Sequence, residues 1–148
     1  MLRQMMLTAF VCVLAFTSTK AQIRELPDEV EQVFTAQYAG AQDIEYKDHL
    51  LNVKVHFTLK GEKMVATYTN KGLWKETEKV IAFDQLPEDV KDGFQKSKYF
   101  DWKVVETKML YRPYNVELYR VKVEANEIKK KNLLFNPKGR LQDDEITL

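Results

Sequence analysis

The sequence is short of the residues on which most catalytic and metal-binding chemistry depends: 148 residues hold one cysteine, two histidines, five glycines and four prolines. The cysteine, Cys12, lies inside an N-terminal apolar run. With that run removed by processing, neither a thiol nucleophile nor a disulfide scaffold is available, and the domain must be held by its apolar core. Ser97 is the only serine after residue 21 and lacks a Gly-x-Ser-x-Gly context. His49 and His56 stand seven apart, which places them on opposite faces of a continuous strand, and no cysteine completes a zinc set. No two of the five glycines fit a Gly-x-Gly-x-x-Gly phosphate loop. Glu76 and Glu78 share a strand face, but in a chain that is 30% charged such pairs are common, and without a pocket no acid and base can be assigned. No catalytic residue, metal ligand or cofactor site is expected.

The amino terminus has one arginine in MLRQ, the apolar run MLTAFVCVLAF, and small residues in TSTKA. That order predicts a secretory signal peptide over residues 1–21, cleaved after Ala21 to leave residues 22–148. The run is too short to span a bilayer comfortably. Cys12 lacks the flanking pattern of lipoprotein processing, so neither a lipid anchor nor stable membrane insertion after cleavage is expected. The destination is periplasmic or secreted. Removing Arg3 and Lys20 from the 23 basic residues leaves 21 against 22 acidic ones. No electrostatic case for nucleic acid remains. The cluster Lys129-Lys130-Lys131 is local and is balanced by Asp143-Asp144-Glu145, which reads as a solvated edge or turn.

What is present is a repetition. LPDEVEQVF at 26–34 returns as LPEDVKDGF at 86–94. In each, proline suits the first helical turn because its missing N–H has no partner there anyway, and two acidic residues follow at the positive end of the dipole. Val30, Val33, Phe34 and Tyr38 then form an apolar stripe at helical spacing, as Val90 and Phe94 do later. From Asp43 the period becomes two: Ile44 and Tyr46, then Val53, Val55, Phe57 and Leu59 alternate with polar residues. Turns at Lys60-Gly61-Glu62 and Asn70-Lys71-Gly72 separate further strands through Met64, Ala66 and Tyr68 and from Leu73-Trp74. After the second helix, strands are predicted over 102–110, 114–123, 128–135 and 141–148. Asn136-Pro137-Lys138-Gly139 stands where Asn70-Lys71-Gly72 stood, and Phe135 matches Tyr68. The expected fold is α+β: two tandem units, 25–82 and 85–148, each one helix packed on a four-stranded antiparallel sheet, the two sharing a sheet edge or packed side by side.

The signal peptide, the duplicated Leu-Pro-x-x-Val-x-x-x-Phe helix start and the segment Tyr-Thr-Asn-Lys-Gly-Leu-Trp-Lys-Glu-Thr-Glu at 68–78 resemble the β-lactamase-inhibitor-like, PepSY-like proteins exported by Gram-negative bacteria. The resemblance covers nearly the whole mature chain. It implies tandem PepSY-like units, similar in outline to secreted β-lactamase inhibitors, and an exported, non-enzymatic role. PepSY domains are associated with binding or restraining peptidases; for this branch the word inhibitor is an analogy. The second copy departs from the first at Asn136–Leu141, which lacks the tryptophan, so a function tied to Trp74 belongs to one copy only.

Aromatic and arginine residues are the usual anchors of protein interfaces. Trp74 after a turn, Tyr111 and Tyr114 flanking Arg112-Pro113, and Tyr119 beside Arg120 are therefore the candidate partner-binding residues. The competing reading is that they pack the sheet against its helix, as Trp102 also would. Pro113 predicts a hairpin or strand edge. The leading functional expectation is an exported binding module that presents a sheet face or strand edge to a protein or peptide, with an extracytoplasmic hydrolase or peptidase as one class of target. The alternative is a small-ligand carrier or envelope sensor with an apolar pocket between the two copies.

Overall fold

In the computed structural model the described residues are 27–147. Cys12, the predicted signal segment and Leu26 lie outside them. Helix α1 (Asp28–Gln37) is followed by strands β1 (Gln42–Asp48), β2 (Asn52–Leu59), β3 (Glu62–Thr69) and β4 (Trp74–Ile81). A short 3-10 turn, Phe83–Gln85, leads to helix α2 (Glu88–Gln95) and strands β5 (Lys103–Arg112), β6 (Val116–Glu124), β7 (Lys130–Phe135) and β8 (Leu141–Thr147). Both helices start at proline: Val30 N–H reaches the Pro27 carbonyl at 2.8 Å, and Val90 N–H reaches that of Pro87 at 2.9 Å.

All eight strands form one antiparallel sheet in sequence order, β1 to β8. This corrects the expectation of two tandem units with a four-stranded sheet each: the fold is mostly sheet, with two helices. The decisive pairing is β4 with β5, where Thr77 to Ile81 align with Tyr111 to Thr107. A four-stranded sheet ending at β4 would leave a row of unpaired N–H and C=O groups, and β5 carries the same need; joining them satisfies both.

Both helices cover the same face. Val30 and Phe34 of α1 pack on Val53, Val55, Phe57, Ala66 and Tyr68. Val90 and Phe94 of α2, with Leu86 and Tyr99, pack on Tyr119, Val121, Val123, Leu133 and Phe135. Full burial of each such side chain is worth about 1.5–3 kcal/mol. Tyr68 and Phe135, matched in the sequence, are both fully buried, and each lies at a register shift, between Thr67/Tyr68 and between Leu134/Phe135.

The turn glycines also dock on helix backbones. A β-carbon on Gly72 would lie 2.9 Å from the Glu29 carbonyl oxygen of α1. In the second half the approach is closer: a β-carbon on Gly139 would overlap the Asp89 carbonyl, and one on Gly93 would overlap the Gly139 carbonyl. Gly93 stands where the first copy has Val33.

The edges are guarded. β1 is exposed throughout and carries a bulge between Gln42 and Glu45, with Asp43 at φ 51°. Such an irregularity discourages another chain from pairing there. At the other edge Asp144 of β8 accepts a hydrogen bond from Tyr99 Oη and pairs with Lys131 at 3.2 Å and Lys98 at 3.3 Å. These contacts, Tyr99 first, pull its pKa down to about 2. The basic and acidic clusters balanced in the sequence are thus joined through Lys131 and Asp144.

The glycine contact yields a prediction with an inverted sign. Gly→Ala inside a helix ordinarily stabilises by about 1 kcal/mol. Gly93→Ala should instead destabilise by about 1–3 kcal/mol, as overpacking does. Urea unfolding should show a lower midpoint with an unchanged slope.

Candidate functional site

Alternation along the strands puts one set of side chains under the helices and leaves the other on an open face. In the middle of that open face Glu76 and Glu78 of β4 meet three cations from β5 and β6. Lys108 Nζ donates to Glu78 at 2.9 Å, and Arg120 Nη1 reaches the other Glu78 oxygen at 2.9 Å. Arg112 Nε donates to Glu76 at 3.0 Å, and Arg120 Nη2 bridges to Glu76 at 3.5 Å. Glu106 adds a contact to Lys108 at 3.3 Å. Beneath the network lies the cross-strand pair Leu110 and Leu118, which belongs to neither helix-side cluster; Leu110 is 0% exposed. The long charged stems cover these leucines while their heads stay in contact with water.

Burial alone would raise the pKa of Glu78, but the hydrogen bond and charge of Lys108, with the charges of Arg120 and Lys54, outweigh it and the net shift is downward. Burial alone would lower that of Lys108; Glu78 and Glu106 reverse this, and the net shift is upward.

At one end of the sheet the β1–β2, β3–β4 and β5–β6 turns come together around a groove of about 800 Å³. Leu51, Leu73, Trp74, Pro113 and Tyr114 supply its apolar lining, and Lys75, Glu76 and Arg112 its charges. The wall is held by Asn70, whose Nδ2 donates to the Leu50 carbonyl at 3.1 Å, and by Thr69 Oγ1, which accepts from Leu73 N–H at 3.1 Å. Trp74 is half-buried: its ring packs toward α1 and its Nε1–H donates to Thr77 Oγ1 at 2.9 Å. The same hydroxyl is 2.5 Å from Tyr38 Oη.

The structure separates the five candidate residues. Trp74, Arg112 and Tyr114 come together around the groove. Tyr111 lies half-buried on the helix side of β5, its hydroxyl on Met109 Sδ at 3.1 Å. Tyr119, expected at an exposed position, is 5% exposed and part of the α2-side cluster, with its hydroxyl bonded to Glu117. Its parity with Val121 and Val123 was the available signal. Tyr114 is the opposite extreme: it sits in the Pro113–Asn115 turn at φ 65°, ψ 29° and is 98% exposed. The reading missed Leu51, Leu73 and Lys75 as groove residues, because only the turns' convergence brings them together. Among the described residues no group of three or more potential metal ligands occurs, and no helix is long and apolar enough to cross a membrane.

A family profile described as "Putative beta-lactamase-inhibitor-like, PepSY-like" matches residues 51–143. The chain belongs to this PepSY-like family. No curated protein matches it. Solved structures share the fold of this family member at low identity. A BLIP-like protein from Bacteroides fragilis NCTC 9343 has a TM-score of 0.72 at 21% identity, covering 81% of this chain and 85% of that one. A DUF2874 family protein from Bacteroides ovatus ATCC 8483 has a TM-score of 0.74 at 22% identity, covering 82% and 88%. A structure described as "putative periplasmic proteins" from Bacteroides eggerthii DSM 20697 has a TM-score of 0.71 at 21% identity, covering 82% and 89%. The groove of this PepSY-like chain falls inside the matched region, which begins at Leu51.

The ion network gives a pH signature. Folding lowers the pKa of Glu78 from 4.5, so its contribution is complete above that value and is lost as pH falls through the folded pKa. Folding raises that of Lys108 from 10.5, so its contribution is complete below that value and is lost as pH rises through the folded pKa. Wild type should therefore exceed Glu78→Gln in urea stability by about 1 kcal/mol across neutral pH. Below about pH 4.5 the gap should close.

Proposed function

We propose that this protein is a non-catalytic binding module of the bacterial envelope, which holds a partner protein against the open face of its sheet and the hairpin end beside it. Its action is occlusion: a surface the partner needs is covered, with no bond made or broken. An extracytoplasmic hydrolase or peptidase is the target class. Export follows from the predicted signal peptide, and family membership and fold agree with an inhibitor-like role.

One observation carries the reading. Tyr114 and Asn115 are consecutive non-glycine residues in left-handed backbone, at φ 65° and 57°, and Tyr114 is 98% exposed. Asparagine tolerates that conformation, but for tyrosine it costs about 1–2 kcal/mol. Glycine would hold the same turn at less cost, so what the tyrosine contributes is its ring, held out beside Arg112 and the groove. Strain retained at an exposed aromatic tip is the mark of a site kept for contact.

A second reading, a small-ligand carrier, draws on the same groove, which lies where the two sequence copies meet. Pockets of about 300–1,000 Å³ that hold small ligands bury most of the ligand surface. Here Leu51 and Leu73 stand 78% and 64% exposed, which favours a partner that brings its own cover.

Crosslinked capture from the native envelope should recover one partner with wild type, and Tyr114→Gly should lose it. The same substitution should raise Tm by about 3–5 °C by releasing the strained backbone. A Tyr114→Gly variant that captures as well as wild type would remove the tip from the interface.

A further inference from the structure

The proposed interface has at its end a groove whose chemistry narrows what can enter it. Its apolar wall is preset, since Asn70 ties the β3–β4 turn to the β1–β2 turn through Leu50, and Thr69 fixes Leu73. Leu51, Leu73 and Tyr114, which line the groove, are all left largely exposed, as is Leu50 next to Leu51. A soluble protein seldom keeps so many large apolar side chains uncovered at one place without an occupant.

The charges around this wall are unequal. Glu76 is the one carboxylate among the lining residues, and it is already shared by Arg112 at 3.0 Å and Arg120 at 3.5 Å. Lys75 lines the same groove, is exposed, and has no ion-pair partner among the described residues. Glu76 has its cations; Lys75 is the charge left over. An occupant that also carried a cation would meet Lys75 and Arg112 at like sign, whereas a carboxylate would complete the set.

Resting on the binding-module reading, we propose that the groove takes an extended segment of the partner protein in which a large apolar side chain is flanked by Asp or Glu. The apolar side chain lies between Leu51, Leu73 and Trp74 under Tyr114, and the carboxylate meets Lys75. No residue of the edge strands β1 and β8 lines the groove, so the segment is recognised by its side chains and not by adding a strand.

The test is selection of a phage-displayed random 12-mer library on the mature chain, residues 22–148, with Leu73→Asp and Lys75→Glu in parallel. Both substitutions are at exposed positions, and each variant is first shown to unfold at the wild-type temperature. Wild type should enrich peptides that join an aromatic or large aliphatic residue to an acidic neighbour. Synthetic versions should bind Leu73→Asp at least ten-fold more weakly and should weaken as salt is raised. Lys75→Glu should enrich Lys or Arg in place of the acid. Failure to enrich any peptide, enrichment without acidic bias, equal binding to Leu73→Asp, or saturable binding of dodecanoate in place of peptides would each overturn the proposal. Envelope capture that depends on Tyr114 while peptide selection fails would reject the extended segment and keep the binding module. Loss of both would reject the module as well.

Discussion

The pairing of β4 with β5 is the interaction on which the remaining architecture depends. It joins a strand from the first sequence copy to one from the second, and the side chains confirm the joint on both faces. On the helix side the Thr107 hydroxyl donates to the Ile81 carbonyl across the seam. On the open side Glu76 and Glu78 come from β4, and their cations Lys108, Arg112 and Arg120 come from β5 and β6. Among the described residues, every ion pair that holds those two carboxylates therefore crosses from one copy to the other. Isolated surface pairs contribute little to stability, but a network of half-buried charges sharing partners fixes geometry, and the geometry fixed here is strand order and register.

That network also explains how a sheet can leave one face without helices and remain a soluble surface. Leu110 and Leu118 face away from both helices and would otherwise be an apolar patch at the centre of the open face. Lysine and arginine stems cover them, and the paired carboxylates keep the cations in place. The face is polar and ordered, with its rotamers already restricted, so a partner docking on it loses less side-chain entropy than it would against free lysines.

The local elements were legible because their signals are local. Proline with acidic residues marked both helix starts, period-two alternation marked the strands, and Gly72 and Gly139 marked equivalent turns. The seam was not legible: Glu78 and Arg120 are separated by 42 residues, and nothing within either copy says whether β4 is an edge. The acid pair Glu76 and Glu78 was visible on one strand face, yet without its partners it could not be told from ordinary surface charge. Tyr119 shows the reverse failure. Its parity with Val121 and Val123 assigned it to the covered face, and the neighbouring Arg120 drew attention to the wrong feature. Tyr114 was picked out by Pro113, but the left-handed backbone that exposes it depends on hairpin closure, which the sequence does not state.

The second copy cannot repeat this groove's lining, and the same seam is the reason. The first copy's turn at Asn70–Gly72 has a counterpart at Asn136–Gly139, where Asn136 Oδ1 accepts from Lys138 and Arg140 backbone N–H groups at 3.0 Å each. The counterpart lacks two things. Leu141, Gln142 and Asp143 stand where Trp74, Lys75 and Glu76 stand in the first copy, so the indole and the unpaired cation are missing. And β8 is an edge strand, so no hairpin beyond it supplies the equivalents of Arg112, Pro113 and Tyr114. The β5–β6 turn can bring Arg112, Pro113 and Tyr114 beside the β3–β4 turn only because a fifth and sixth strand follow the fourth. Separate four-stranded sheets would have left the β3–β4 turn without this neighbour; the continuous sheet supplies it. The duplication thus produces two similar cores, while Trp74, Lys75, Arg112 and Tyr114 are brought together at one place, where the turns of the two copies adjoin.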